Sequence, residues 1–301
     1  MKVESINKVC VLGAGTMGLQ ISLMSACAGY NVALFDASED ALKQAPLRHK
    51  QIAQWIEQSG RFKFPGLPEI LSRITCTSDP VKAAQNADFL SESVPEQLEL
   101  KRKIHSQFES LCPEHAIMTT NTSSLLVSDI DVVLQRPEQF AAMHFHSGMT
   151  PLVDIMRGSK TSEKTVKMVQ QFVRSIGLVP MIMKKEKAGY LHNSILIAQL
   201  NAALSLAANG YGEPDDIDRA WMLVTGQPSG PFAAMDSIGI NVIYDLARSA
   251  SAAEFPDKDR IIAFLEPHIH RGELGVKTGK GFYTYPNPAF SKPEFLDVKD
   301  D

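Results

Sequence analysis

The sequence is short of cysteine, of long apolar runs and of excess charge. Its four cysteines, Cys10, Cys27, Cys76 and Cys112, are scattered among 301 residues with no C-x-x-C pair. They read as buried thiols of an intracellular, cytoplasmic protein. No apolar run reaches the ~18 residues of a membrane span, so no membrane is expected as a partner. The ordered pattern begins by Val9, and no signal peptide is expected ahead of it. A formal net charge of -4 leaves no electrostatic footprint for nucleic acid or another polyanion. There is no internal repeat and no low-complexity tract. What is present suits a globular protein. An apolar fraction of 44% is ample for a core, and the length suggests about two domains.

The stretch 8–18, KVCVLGAGTMG, organises the rest. Val9, Val11 and Leu12 suit a buried parallel strand. The strand breaks into Gly13-Ala14-Gly15-Thr16-Met17-Gly18, a G-x-G-x-x-G spacing that opens a helix. A second strand at 31–35 closes on Asp36. Gly13 permits the tight turn, Gly15 lets a pyrophosphate touch the backbone, and Gly18 lets the helix pack on the strand. The helix N-terminus then faces the phosphates. Asp36 is placed to accept hydrogen bonds from a ribose and would repel an extra phosphate there. The pattern therefore favours NAD over NADP.

Strand and helix patterns alternate as far as residue 183, which predicts a doubly wound, mostly parallel α/β sheet. The helical stretch 39–59 carries Lys43, Arg48, His49 and Lys50. These form either a basic rim for a phosphorylated substrate or an ordinary solvated face. The run KKEKAG at 184–189 is the best boundary, giving domains 1–186 and 187–301. After it the strands stop. The stretch 190–209 is apolar on nearly all sides and is expected to be a buried helix. Further helices follow, separated by glycine-rich breaks. The surplus of apolar helix surface predicts a homodimer. From about residue 286 a tail rich in Pro, Lys and Asp is expected to be loose.

In doubly wound sheets ligands sit beyond the carboxyl ends of the strands. Two polar clusters fall there, Asn121-Thr122-Ser123-Ser124 and His144-Phe145-His146-Ser147. Hydride transfer to NAD needs a proton carrier for the alcohol oxygen, and histidine suits that task. His144 is the candidate base. Asp154, on the neighbouring strand, could fix its tautomer. Ser123 could hold the substrate oxygen, and Asn193 could reach in from the second domain. A structural role for each is the alternative: a strand-end histidine, a helix N-cap at Ser123, a surface strand residue at Asp154 and a helix polar contact at Asn193. His144 and His146 also share a strand face, so that with Asp154 they could form a metal triad. That reading is set aside for want of a further ligand, and no metal is expected.

These residues resemble the 3-hydroxyacyl-CoA dehydrogenase family from about residue 8 to 285. The marks are VLGAGTMG at 11–18, SVPEQLELK at 93–101, NTSSL at 121–125 and MHFHSG at 143–148. KAGYLHN at 187–193, GPFAAMDSIG at 230–239 and GVKTGKGFYTY at 275–285 complete the series. The resemblance implies a Rossmann-type NAD-binding domain followed by an all-α domain that dimerises. It also implies a histidine–acid pair acting on an acyl-CoA in fatty acid metabolism. By motif position His144 matches the catalytic histidine, Ser123 the substrate serine and Asn193 the asparagine near the reacting group. Glu96, Lys101 and Lys277 match cofactor contacts. The family usually reads H-F-F-N-P after the histidine, with a glutamate some twelve positions on. Here the loop is HFHSG and shorter, the acid is Asp154, and Ser147 stands where a nicotinamide contact is expected. The changed loop keeps two alternatives open: the same chemistry on a free 3-hydroxy acid or diketo compound, and a catalytically weak NAD-binding relative.

Overall fold

Strand β1 (Lys8–Leu12) shows why the sheet is covered on both faces. In this computed structural model Val9 and Val11 belong to one core cluster, and Cys10 and Leu12 to another. A period of two with both sets apolar requires helices on both sides. The structure describes residues 6–59, 66–146, 150–251 and 255–297.

The first unit continues through α1 (Thr16–Cys27), β2 (Asn31–Phe35), α2 (Glu39–Ser59), α3 (Leu67–Ser72) and β3 (Ile74–Thr77). Next come α4 (Pro80–Ala84), β4 (Phe89–Glu92), α5 (Leu98–Leu111), β5 (Ile117–Thr120) and α6 (Val127–Ile130). β6 (Phe140–Phe145), β7 (Leu152–Met156), α7 (Glu163–Ser175) and β8 (Val179–Ile182) complete it. The strands form one sheet in the order β3-β2-β1-β4-β5-β6-β7-β8, parallel except where β6 meets β7. α1, α2 and α7 cover one face, around Leu19, Leu42 and Phe172. α4, α5 and α6 cover the other, around Ala84, Phe108 and Ile130. Strand order reverses between β1 and β4, which opens a crevice at their carboxyl ends.

Two expectations about single residues change here. Cys76 is exposed, because β3 is an edge strand; Cys10 and Cys112 are buried. His49 belongs to no basic rim. It is buried, and its Nε2 lies 2.8 Å from Ser22 Oγ. Burial lowers its pKa to about 4, with the nearby Arg48 charge adding to the effect. The folded protein therefore keeps His49 neutral while an unfolded chain takes up a proton near pH 6.5. Stability from this site is full above pH 6.5 and falls as the pH drops toward 4. The loss is expected to reach about 2–3 kcal/mol. Urea midpoints at pH 7 and 4.5 check this: His49→Gln should lose less across that interval than the parent chain.

Contacts divide the chain after Leu191 rather than after Glu186. The reason is Tyr190, which is fully buried in the core of the first unit. It is also the first residue of α8 (Tyr190–Ala208). The second unit contains the rest of α8 with α9 (Pro214–Thr225), α10 (Pro231–Ile238), α11 (Ile240–Ser249) and α12 (Lys258–Arg271). Its core gathers Leu204, Met222, Phe232, Ile261 and Leu265. Asp218 accepts the N–H groups of Phe232 and Ala233 and the hydroxyl of Tyr283, so it caps α10 from outside. Asp236 similarly accepts from the N–H groups of Phe282 and Tyr283. Gly281 makes room for that carboxylate, since a Cβ there would meet Asp236 Oδ1 at 2.0 Å. The distinctive GPF and GKGFYTY runs are thus packing devices around two buried aspartates.

α8 is not buried as expected. Ile195 is 71% exposed and Leu206 45%. By length and composition α8 is also long and apolar enough to cross a membrane. His192, Asn193, Ser194, Gln199 and Asn201 interrupt its apolar residues in the sequence. The tail is anchored rather than loose as far as residue 297. Phe290, Phe295 and Leu296 pack on the second core, and Arg219 lies 4.9 Å over the Phe295 ring.

Candidate active site

The glycine turn lies between β1 and α1. Gly13 has φ +98°, and a Cβ there would sit 2.7 Å from Ser93 O at the end of β4. A Cβ on Gly18 would sit 1.7 Å from Gly13 O. Both positions therefore require glycine. Gly15 differs: its missing Cβ faces open space, with no heavy atom within 4 Å. That space lies at the start of α1, where the first-turn N–H groups, including those of Thr16, Met17 and Gly18, lack intrahelical acceptors and the first turn itself carries no acid. A diphosphate fits this cradle. Asp36 accepts the N–H of Ala14 at 2.7 Å and of Ser38 at 2.8 Å. A carboxylate has about four lone-pair positions, so capacity remains for ribose hydroxyls. Arg48 adds a cation beside the turn through its bond to Ala14 O at 3.3 Å.

The second cluster is built around a buried charge network. Glu92, on β4, and Lys101, on α5, are both fully buried and 2.8 Å apart. Glu92 also accepts from Val94 N and Thr120 Oγ1 and lies 3.2 Å from His105 Nε2. Burial alone would push the Glu92 carboxyl up; the His105 bond and the Lys101 cation outweigh it and hold the pKa below the usual range. Lys101 Nζ also donates to Asn121 O at 2.9 Å. The sequence reading makes Lys101 a cofactor contact. The structure corrects this, because the ammonium is wholly enclosed by Glu92, Asn121 and Glu96.

Glu96 is turned to the same task. Its Oε1 accepts from the Thr122 hydroxyl and from Ser123 N and Ser124 N at 2.9 Å each. These bonds and the Lys101 charge outweigh burial and keep its carboxyl below the usual range. One acid thereby holds the whole polar turn after β5. Asn121 Oδ1 accepts the N–H of Phe145 at 3.1 Å, tying the turn to β6.

The reacting groups meet beside this turn. Ser123 Oγ lies 3.1 Å from His144 Nε2. His144 is nearly fully buried, and its ring stacks on Tyr190 with centroids 4.6 Å apart and planes at 11°. Burial and the charges of Glu96 and Asp154 push the Tyr190 hydroxyl up, so it stays neutral. Asp154 is the direct cross-strand partner of His144 in the β6–β7 pair. The expected bond between them is nevertheless replaced. Asp154 Oδ2 is 3.9 Å from His144 Nδ1, beyond hydrogen-bond reach, and 2.8 Å from His146 Nε2. Burial would raise the Asp154 carboxyl; the two imidazoles prevail and hold it at about 2. It is therefore an anion at neutral pH.

Two family models cover the chain in succession. The NAD binding domain of 3-hydroxyacyl-CoA dehydrogenase matches residues 8–186, and the C-terminal domain of the same enzyme matches residues 189–285. The chain belongs to the 3-hydroxyacyl-CoA dehydrogenase family. A probable 3-hydroxybutyryl-CoA dehydrogenase of Bacillus subtilis is 30% identical over 283 residues, covering 93% of this chain and 98% of the relative. Two solved structures are also similar. A diketoreductase described as acting on dicarbonyl compounds is 35% identical with a TM-score of 0.86, covering 93% of this chain and 99% of that one. The (S)-3-hydroxybutyryl-CoA dehydrogenase of Ralstonia eutropha is 28% identical with a TM-score of 0.82, covering 94% and 100%.

As an NAD-dependent oxidoreductase of the 3-hydroxyacyl-CoA dehydrogenase type, the chain places its expected site residues unevenly. Gly13, Gly15, Thr16, Met17, Gly18 and Asp36 share the first crevice; Ser123, His144 and Asp154 share the second cluster. Asn193 is half-buried on α8 in the second unit. Lys277 lies in that unit too, exposed and bonded to Asn241 Oδ1. Ser147 falls outside the described residues. Sequence reasoning missed Tyr190, Glu92 and the bond between His146 and Asp154. Glu92 had a signal: an acid inside the apolar run FLSE, nine positions before a lysine. Tyr190 lies in the KAGYLHN run but carried no chemical mark of its own.

Proposed function

We propose that the chain interconverts a 3-hydroxyacyl-CoA and its 3-keto partner, with His144 as the general base. The observation that carries this reading is the 3.1 Å approach of Ser123 Oγ to His144 Nε2 within a family of hydroxyacyl-CoA dehydrogenases. A substrate hydroxyl near Ser123 would lie within reach of the imidazole. Nε2 takes the hydroxyl proton while the electron pair of the carbon–hydrogen bond departs as hydride. Bound NAD+ supplies the acceptor for that hydride. Asp154, anionic and opposite, stabilises the imidazolium through charge rather than a direct bond. Glu96 is assigned to holding Ser123 in place. The exposed side of α8, with Ile195 and Leu206, supports a homodimer through the helical unit.

A second reading keeps the chemistry and changes the substrate to a free 3-hydroxy acid or a dicarbonyl compound. The diketoreductase similarity and the HFHSG run favour it. One experiment separates the two. Acetoacetyl-CoA, longer 3-ketoacyl-CoA esters, free acetoacetate and a diketo ester are assayed with NADH and with NADPH, on material whose mass is read by light scattering. The first reading expects CoA esters and NADH to give the higher kcat/KM, in a dimer. Preference for the free dicarbonyl compounds establishes the second, and no turnover on any of them leaves an NAD binder.

A further inference from the structure

We propose that His144, His146 and Asp154 form a divalent transition-metal site, of the kind zinc occupies, that switches the base off. The site rests on the dehydrogenase reading for its effect and on geometry alone for its existence. His144 lies in β6 and His146 directly follows its last residue, and their ring centroids are 4.6 Å apart. Asp154 meets them from the neighbouring strand, directly across from His144. One ligand atom from each residue falls in a group with all atoms within 4.8 Å of one another. Two nitrogens and a carboxylate oxygen are a donor set that zinc and its neighbours accept.

The distances suit an ion. A tetrahedral zinc with bonds of about 2.0–2.1 Å separates its ligand atoms by about 3.4 Å. Asp154 Oδ2 lies 2.8 Å from His146 Nε2 and 3.9 Å from His144 Nδ1, one below and one above that figure. Half an ångström of movement on each of these sides, with the two imidazoles drawn in from a group spanning 4.8 Å, brings the three together around an ion. A second observation is independent of these spacings. His144 Nδ1 and Asp154 Oδ1 are buried with no hydrogen-bond partner among the described residues. Buried polar atoms in a folded protein are normally satisfied; an ion held through Oδ2 would satisfy Nδ1 directly, and Oδ1 is a second carboxylate oxygen free to turn toward it.

The site acts through the tautomer. A metal on Nδ1 uses the lone pair there, and the neutral ring then carries its proton on Nε2. Nε2 is the atom that faces Ser123. It becomes a donor and can accept nothing from a substrate hydroxyl. Chemistry stops while the glycine turn, which contributes no ligand, goes on holding the nucleotide.

The test uses the full chain, stripped with EDTA and desalted. Zinc is titrated against a chromophoric chelator, and turnover of acetoacetyl-CoA with NADH is read in parallel with NADH fluorescence. One zinc per chain should bind, kcat should fall by more than tenfold at saturation, NADH affinity should hold, and EDTA should restore activity. His146→Gln and Asp154→Asn should each weaken zinc by at least about tenfold. Tight zinc that ignores both substitutions, no stoichiometric zinc, or zinc held here with kcat unchanged would each overturn the proposal. An error in the dehydrogenase reading would show differently, as no turnover in the metal-free protein whatever the zinc binding.

Discussion

His144→Gln is expected to lose about 10²–10⁴-fold in kcat, the usual worth of a positioned general base. The substitution keeps the volume of the side chain and a polar atom near Ser123, but removes the ring nitrogen that takes the substrate proton. NADH binding should survive, since the glycine turn and Asp36 are far from this position in the sequence and make no bond to it. The split is the diagnostic feature: turnover collapses while the affinity for the dinucleotide does not. Steady-state kinetics with acetoacetyl-CoA and NADH fluorescence titration measure the two halves. A variant retaining turnover within tenfold of the parent chain would remove His144 from the mechanism. Thermal unfolding run alongside shows whether the fold itself has been kept.

Lys101→Met is expected to cost about 3–5 kcal/mol of stability, the usual penalty for leaving one member of a buried pair without its partner. Lys101 and Glu92 are both fully buried, and the ammonium also bonds Asn121 O. The stranded Glu92 must either stay charged without its cation or take up a proton. Adding Glu92→Gln should recover part of the loss, because the double variant buries no net charge. Urea unfolding of the single and double variants measures this; in heat the single variant should melt on the order of 10 °C lower. A loss below about 1 kcal/mol would mean that the site behaves like an exposed ion pair. The single variant should also lose turnover, since Asn121 begins the turn that carries Ser123.

Much of this architecture was readable in the residues because it rests on local chemistry. The glycine turn, the closing Asp36 and the alternation of strands and helices depend on short spacings, and each sits where those spacings put it. His144, Ser123 and Asp154 were found together because they share strand ends. Partner choice was harder. Spacing put His144 and Asp154 opposite each other, but not which of two imidazoles on one strand face takes the carboxylate. Lys101 reads as a cofactor contact by motif position, and only packing shows it enclosed. α8 read as buried because its apolar residues occupy all sides, yet a single chain covers only some of them. The tail read as loose from its composition, while Phe290, Phe295 and Leu296 anchor it.

The antiparallel pairing of β6 with β7 has a consequence for how such an enzyme can change its diet. Because His144 and Asp154 are matched across the ladder, their separation is governed by backbone hydrogen bonds. His146, just beyond the ladder, also sets the carboxylate, through its 2.8 Å approach to Asp154 Oδ2. Substitutions away from this ladder can therefore alter substrate acceptance while the proton-handling pair is inherited intact.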